Sequence, residues 1–426
     1  MIVSKISFFK SDFAKNIFTL VSATALAQVI NFGFNVFLTR IYTPASFGAL
    51  SIFTSLVGFI LVVASGKYDI ALVVATDRDE AKGLLTVGTW LTFISALVCL
   101  IASWVIYMVP IHFYDQSVVR NWLYLIPVAV IFLSLFQLFW MWNVREKKFK
   151  TVSFIRPLEA FINNGLCILL KGYQATGLLL GSLAGQFVSM LLITGISLQG
   201  EGIGLFAHHI KKLKTLSVKY AEFPRINILQ GIIDTLQISI LVLIASAYFP
   251  AAEIGYYALC MRILQVPMRL IVLPFSHVFF AEASEALRDG RDLYQLVKRS
   301  TYQIGIWTVA LPIVLITGGA FIFKLIFGAE WYTAGIYAGV LSPWIFLDII
   351  RAPIAQVASI LGRQKQILFL SVLSSAILLI TVVTNVALHS SFVILLSCVS
   401  ATQCLMTALI IFTIFKMAKK AAPTKA

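Results

Sequence analysis

Twelve long apolar runs, separated by short polar turns, use up almost the whole of this 426-residue chain. They fall near residues 16–38, 47–65, 84–108, 122–142, 154–171, 177–198, 224–248, 256–279, 304–327, 335–361, 366–387 and 392–415. Each is close to the roughly 20 mostly apolar residues with which an α-helix crosses a bilayer. Inside the hydrocarbon, only helices and closed barrels satisfy every backbone hydrogen bond. The longest connections, about 199–223 and 281–303, leave no room for a large soluble domain. The chain is 60% hydrophobic and 12% charged, with a mean hydropathy of +0.93, whereas an ordinary soluble domain is about 25% charged. The sequence therefore predicts an all-α integral membrane protein with about twelve transmembrane helices.

A polar seam recurs in two of these runs. Asp234 lies mid-run with Asn227, Gln230 and Gln237 on the same helical face, and such a stripe in a membrane helix turns to water or to protein, not to lipid. In the first run Thr24, Gln28 and Asn31 repeat the four-then-three spacing of Gln230, Asp234 and Gln237, with Asn35 one turn beyond. Each stripe is followed by a matching exit, Tyr42-Thr43-Pro44-Ala45-Ser46-Phe47-Gly48 against Tyr248-Phe249-Pro250-Ala251-Ala252-Glu253-Ile254-Gly255. The sequence thus divides into a six-helix bundle over 1–200, a basic linker over 201–223 and a second, pseudo-symmetric six-helix bundle over 224–426. Two similar halves with a shared polar seam are the plan of a transporter. The alternative use of such stripes is to join helices to one another.

The formal charge of +15 reads as topology. With a cytoplasmic N-terminus, that side collects Lys5, Lys10, Lys15, Lys67, Arg78, Lys82, Arg145, Lys147, Lys148, Lys150, Arg156, Lys211, Lys212, Lys214, Lys219, Arg225, Arg288, Arg291, Lys298, Arg299, Arg363, Lys365, Lys416, Lys419, Lys420 and Lys425. The opposite side holds Arg40, Arg120, Lys171 and Lys324. This bias places both termini in the cytoplasm and removes nucleic acid as the explanation of the charge. Ala25-Leu26-Ala27 resembles a signal-peptidase site, but the run continues to Leu38 and pairs with an internal span, so an uncleaved first helix is expected.

The motifs of soluble chemistry are missing. The sequence has no phosphate-binding G-x-x-x-x-G-K-[ST] loop and no Cys-x-x-Cys pair; Cys99, Cys167, Cys260, Cys398 and Cys404 lie singly within spans. His208 and His209 sit beside Lys211 and Lys212 in a basic loop, which reads as a solvated or lipid-facing surface, and His112, His277 and His389 are isolated. No metal site is expected.

The informative charges are those inside the spans. Arg262 and Arg269 are seven apart, on one face of a continuous helix, with Gln265 near the same line; Pro267 and Pro274 interrupt this run. No acid shares their span, so a solvated cavity or an anionic ligand is the expected counterpart. Asp348 and Arg351 stand three apart between Pro343 and Pro353, and Arg156 and Glu159 do likewise, with Asn163 a turn on. Each pair either neutralises itself for insertion or serves in coupling. Arg262, Arg269 and Arg351 are candidate cargo ligands, since a guanidinium fork matches a phosphate and stays ionised when partly dehydrated. With most of these charges in the middle or cytoplasmic half, the cavity is expected to take an anionic head from the cytoplasm.

The stretch Gly66-Lys67-Tyr68-Asp69-Ile70-Ala71-Leu72-Val73-Val74-Ala75, followed by Asp77-Arg78-Asp79-Glu80-Ala81, resembles the loop between the second and third spans of bacterial polysaccharide flippases. There a basic-Tyr-acidic triplet precedes an apolar run and an acidic-Ala step. The Pro44 to Gly48 turn, Ile254-Gly255-Tyr256-Tyr257-Ala258 and the twelve-span layout also fit. On these residues the chain resembles the oligosaccharide-repeat (Wzx-type) branch of the multidrug/oligosaccharidyl-lipid/polysaccharide flippase superfamily.

The resemblance implies a MATE-like pair of six-helix bundles around a central cavity, working by alternating access. The implied cargo is an undecaprenyl-diphosphate-linked oligosaccharide repeat unit, moved from the cytoplasmic to the periplasmic leaflet of the inner membrane for O-antigen, and hence lipopolysaccharide, or for another surface polysaccharide. It implies a transporter rather than an enzyme, no cofactor, membrane lipid as a partner, and a polysaccharide polymerase with chain-length machinery as neighbours. Coupling to H+ or Na+ through Asp234, Glu159 or Asp348 is left open. Two rivals share the superfamily. A multidrug antiporter for cations would want an acidic lumen, yet the first span offers only Thr24, Gln28, Asn31 and Asn35. A peptidoglycan lipid-precursor flippase would be expected to carry basic residues in its first span and helices beyond twelve.

Overall fold

The computed structural model describes residues 12–108, 117–199, 202 and 210–421. Lys5, Lys10, His112, His208, His209 and Lys425 lie outside the described residues, as do the side chains of Lys15, Lys211, Arg269 and His277. Every element among the described residues is helical.

Contacts divide the chain into two units, Met1–Ala247 and Tyr248–Ala426. The first contains α1 (Asp12–Ile41), α2 (Pro44–Ala64), the short α3 (Tyr68–Val74), α4 (Arg78–Met108), α5 (Ile126–Arg145), α6 (Phe149–Leu169), α7 (Gln174–Leu198), α8 (Ile210–Lys219) and α9 (Glu222–Ala245). The second contains α10 (Ala251–Leu264), α11 (Leu273–Arg288), α12 (Leu293–Thr308), α13 (Ala310–Phe327), α14 (Tyr332–Ile354), α15 (Gln364–Ala387) and α16 (Phe392–Ala421). Here α9 packs on α2 within the first unit, whereas the sequence division opens the second bundle with it.

Eight helical segments among the described residues are long and apolar enough to cross a membrane, and α9, bent by 55° near Ile238, can add a ninth. α6 is of membrane length but carries Arg156, Glu159, Asn163 and Asn164. With α1 and the interrupted α10–α11 run, the helices follow the twelve apolar runs.

What faces outward identifies the solvent. Along α4, small or polar Gly88, Thr92, Ala96, Cys99 and Ser103 are buried, while Trp90, Phe93, Ile94, Leu97 and Val98 are exposed, Trp90 by 63%. A soluble helix buries the opposite set. This arrangement suits a lipid exterior, where small residues let helices approach and a few hydrogen bonds join them. Thr92 and Ser134 share such a bond at 2.6 Å between α4 and α5. In the second unit the Ser374 hydroxyl donates to Gln403 Oε1 at 2.8 Å between α15 and α16.

Two seams bring backbones together. A Cβ on Gly185 of α7 would stand 2.4 Å from Asn163 Cα of α6, and one on Gly335 of α14 would stand 2.3 Å from the Gly319 carbonyl of α13. Each unit has its own apolar core. In the first it gathers Leu72, Leu84, Leu138, Phe139 and Trp142; in the second, Phe279, Val297, Ile354, Val357 and Ile414.

Local signals explain the helix starts. Thr43 caps α2 by accepting from the Ser46 amide, and Pro44, whose missing N–H costs nothing there, occupies the first turn. The matching exit in the second half also starts a helix at its proline, with Pro250 capping α10. Between α2 and α3 the chain reverses through Gly66 (φ 61°) and Lys67 (φ 58°). A Cβ on Gly66 would meet Leu91 at 2.8 Å and the Tyr68 ring at 3.1 Å. Gly66→Ala is therefore expected to destabilise the protein by about 1–3 kcal/mol, combining left-handed strain with a clash. Thermal unfolding of the purified protein in detergent checks this, and an unchanged midpoint would show that the turn absorbs the methyl group.

Candidate functional site

The sequence-predicted residues occupy three settings. In the first unit, the α1 stripe is split. Gln28 and Asn31 are half-exposed and Asn35 is buried. The Asn35 amide donates to the Asn31 carbonyl at 2.6 Å. Asn164 of α6 donates from its amide to Asn31 Oδ1 at 2.8 Å and to the Ala160 carbonyl at 2.6 Å. Asn31 thus serves the α1–α6 contact, the helix-joining use of a polar stripe, while the Asn35 amide bonds back within its own helix. On α9, Gly231 and Thr235 face Val62 and Gly58 of α2, while Gln230 and Asp234 are exposed and Gln237 is half-exposed.

The intrahelical pairs close. In α6 the Arg156 guanidinium donates to Glu159 Oε2 at 3.3 Å and lies over the Trp140 ring at 4.1 Å. In α14 Arg351 donates from Nε to Asp348 Oδ1 at 2.7 Å, and its second nitrogen reaches the same oxygen at 2.6 Å. These side chains stay partly exposed, so neither pair bears the full cost of a buried charge. Pairing leaves Arg351 with less of its charge for a ligand than the isolated sequence position suggested.

The arginines of the eighth run sit on an interrupted helix. α10 ends at Leu264, and a single π turn, Met268–Val272, carries Arg269 before α11 begins. Pro267 and Pro274 flank that turn. Seven-residue spacing places two side chains on one face only along a continuous α-helix, and here Gln265 and the wider π turn break that register. Arg262 is exposed on α10. Isolated π turns are frequent at functional positions.

Three features escaped the sequence reading. The Asn143 amide is fully buried and donates to the Phe139 carbonyl at 2.8 Å and to Ser197 Oγ at 2.6 Å, joining α5 to α7. Beside it Arg145 donates to four backbone carbonyls, those of Leu72, Val73, Ala75 and Asp77, at 2.9–3.0 Å, closing the end of α3. Arg78 grips Glu146 with two bonds, at 2.7 and 3.2 Å. The only signal for these was their place at a helix end among basic residues, which reads equally as topology.

Lys67 stands before α3 in the left-handed region, and Tyr68 and Asp69 open that helix. Asp69 is buried and accepts from Ser65 Oγ at 3.0 Å. The Tyr68 hydroxyl donates to the Ser217 carbonyl of α8 at 3.0 Å. Among the described residues no cluster of three or more His, Cys, Asp or Glu side chains has metal-binding geometry.

A family profile described as "Polysaccharide biosynthesis protein" matches residues 37–335. No curated protein sequence matches the chain. Among solved structures, an inward-facing multidrug resistance MATE family transporter of the MOP superfamily is similar at TM-score 0.70 and 11% identity, covering 96% of both chains. The lipid II flippase MurJ in an inward closed conformation is similar at TM-score 0.71 and 14% identity, covering 95% of this chain and 90% of that one. The eukaryotic MATE transporter AtDTX14 follows at 0.56 and 16%, covering 96% and 98%. At such identities the likeness is one of fold. With the family profile spanning most of its length, the chain belongs to the polysaccharide biosynthesis protein family.

Proposed function

We propose that this multi-pass membrane protein moves polyprenyl-diphosphate-linked oligosaccharide repeat units from the cytoplasmic to the periplasmic leaflet of the inner membrane, by alternating access, for O-antigen or another surface polysaccharide. The observation that carries this reading is the family match over residues 37–335. The chemistry of the chain supports it. A diphosphate that must leave the headgroup region needs cations to replace its hydration, and Arg262 and Arg269 lie in a run with no acid between Glu253 and Glu282. The sugar needs hydroxyl and amide partners, which Gln28, Gln230 and Gln237 supply, while the polyprenyl tail stays in lipid. No bond is made or broken. Both termini are cytoplasmic, and a polymerase with chain-length machinery receives the product.

Purified protein in liposomes, supplied with a fluorescent polyprenyl-diphosphate oligosaccharide, should speed the appearance of the label at the opposite leaflet, read by an impermeant quencher. Extrusion of cationic dyes with no effect on this lipid would establish the multidrug reading instead. Flipping of peptidoglycan precursor in preference to a repeat unit would establish the other.

Asp234 gives a separate expectation. An exposed carboxylate on the polar face of α9 can couple transport to a cation or hold cationic groups in place. Asp234→Asn should lower glycan display by about tenfold, the equivalent of ~1.4 kcal/mol in the rate-limiting step. Asp289→Asn, in an exposed turn, should leave display unchanged. Wild-type display by Asp234→Asn would reduce this carboxylate to a packing role.

A further inference from the structure

The basic segment between the sixth and seventh spans contains a helix, α8, with a built seat. On α8, Leu216 is 4% exposed and joins the core that contains Tyr68, Leu72 and Trp142, with Leu213 and Phe223 packed beside it. Val218, on the other face, is 70% exposed. Two lysines on the polar edge of the helix are matched by acids. Lys212 pairs with Asp79 and Lys219 with Glu80. The Tyr220 hydroxyl donates to Glu80 Oε2 at 2.7 Å, and Thr76 Oγ1 donates to the same oxygen at 2.8 Å. Glu80 holds the Lys219 ammonium above its usual range through this hydrogen bond. At the C-terminal end, where helix carbonyls lose their intrahelical partners, Leu216 and Val218 are served by the Tyr220 and Ala221 amides, and the Ser217 carbonyl takes the Tyr68 hydroxyl. Lys67 lies along α9, so that a Cβ on Gly231 would stand 3.4 Å from its Nζ. One stretch of chain, Lys67 to Glu80, therefore grips both sides of the α8–α9 corner.

We infer that the Lys67-Tyr68-Asp69 triplet and the acidic turn at Asp79-Glu80 form an intramolecular seat for α8, which keeps this helix docked on the first unit throughout the transport cycle. On this assignment Tyr68 and Glu80 are positioning residues. They fix where the chain enters α9, and so where the Gln230, Asp234 and Gln237 face points, without touching cargo. Permanence follows from the kind of contact. Exposed ion pairs alone contribute little, but here they rim a buried apolar strip and a helix-end cap, which do not open independently. The docking half of the inference is independent of substrate; the link to transport rests on the flippase reading above.

The test reads docking and transport separately. In purified protein with single cysteines, an impermeant maleimide should label Val218→Cys readily and Leu216→Cys slowly. Adding Glu80→Lys should make Leu216→Cys label several-fold faster and should lower transport, and combining it with Lys219→Glu should restore both. Joining Asp79→Cys to Lys212→Cys with a short reducible bis-thiol linker should leave transport near its unlinked rate. Two results would overturn the inference: Leu216→Cys labelling that ignores the charge reversals, or transport that stops when the linker is in place and returns with reductant. A lack of flipping by the unaltered protein counts against the flippase reading alone, because maleimide labelling reports the seat with no cargo present.

Discussion

Cells whose only copy carries Arg269→Ala should display little surface glycan, with the protein still present in the membrane fraction. Arg269 sits in the π turn Met268–Val272, behind Pro267, and its run holds no acid between Glu253 and Glu282. Nothing in its own helix therefore calls for the charge. A diphosphate crossing the bilayer does, because each charge-assisted bond replaces hydration that the lipid interior cannot supply. Losing one such bond costs on the order of 1.5–3 kcal/mol, or about ten- to hundredfold in transport. Arg269→Lys should recover part of the activity, since an ammonium keeps the charge but not the fork. Complementation of a glycan-deficient strain, with blotting for membrane protein, is the measurement. Full display by a stable Arg262→Ala/Arg269→Ala double variant would take both residues out of the site.

The largest expected loss of folded protein comes from Gly335→Val. Its Cβ would stand 2.3 Å from the Gly319 carbonyl and 2.5 Å from Ala320 Cα, both backbone atoms of α13. A flexible side chain can turn away from such a contact, whereas two helix backbones must part. The cost is expected near the upper end of overpacking penalties, about 3 kcal/mol. Gly318→Ala is the matched control, because its added methyl would meet nothing nearer than Ile322 Cδ1 at 3.7 Å. Size-exclusion profiles of the two variants in mild detergent should differ sharply. Equal, monodisperse peaks would mean that the α13–α14 seam is looser than its geometry.

Hydropathy made the membrane helices legible because it measures the one thing a bilayer selects for, a long apolar run. The twelve runs and the helices follow one another, and the helices overshoot them, as α16 does by continuing to Ala421, because a helix can run on into the headgroup region. The exits at Pro44 and Pro250 were legible for a local reason, since proline opens a helix wherever it stands at its start. The side-chain seam was harder to read. Polar spacing marks a face of α1 without saying whether water or another helix covers it, and at Asn31 Asn164 of α6 does. The seven-residue interval from Arg262 to Arg269 assumed an unbroken α-helix, and the π turn removes that assumption. α3 and α8 went unread as helices because each is short and draws its stability from tertiary contacts, which no local pattern records.

Arg145 has a use that charge counting hides. Its partners among the described residues are four neutral carbonyls, so its positive charge is satisfied by dipoles and never cancelled. Seen from outside, the residue still adds a full unit to the electrostatic bias that orients the neighbouring span during insertion. Seen from inside, it is the stopper at the end of α3. Neutralising it to probe orientation would loosen the fold at the same moment, whereas lysine would keep the orienting charge and give up the planar grip. Biogenesis and architecture meet in one guanidinium, and only the lysine exchange pulls them apart.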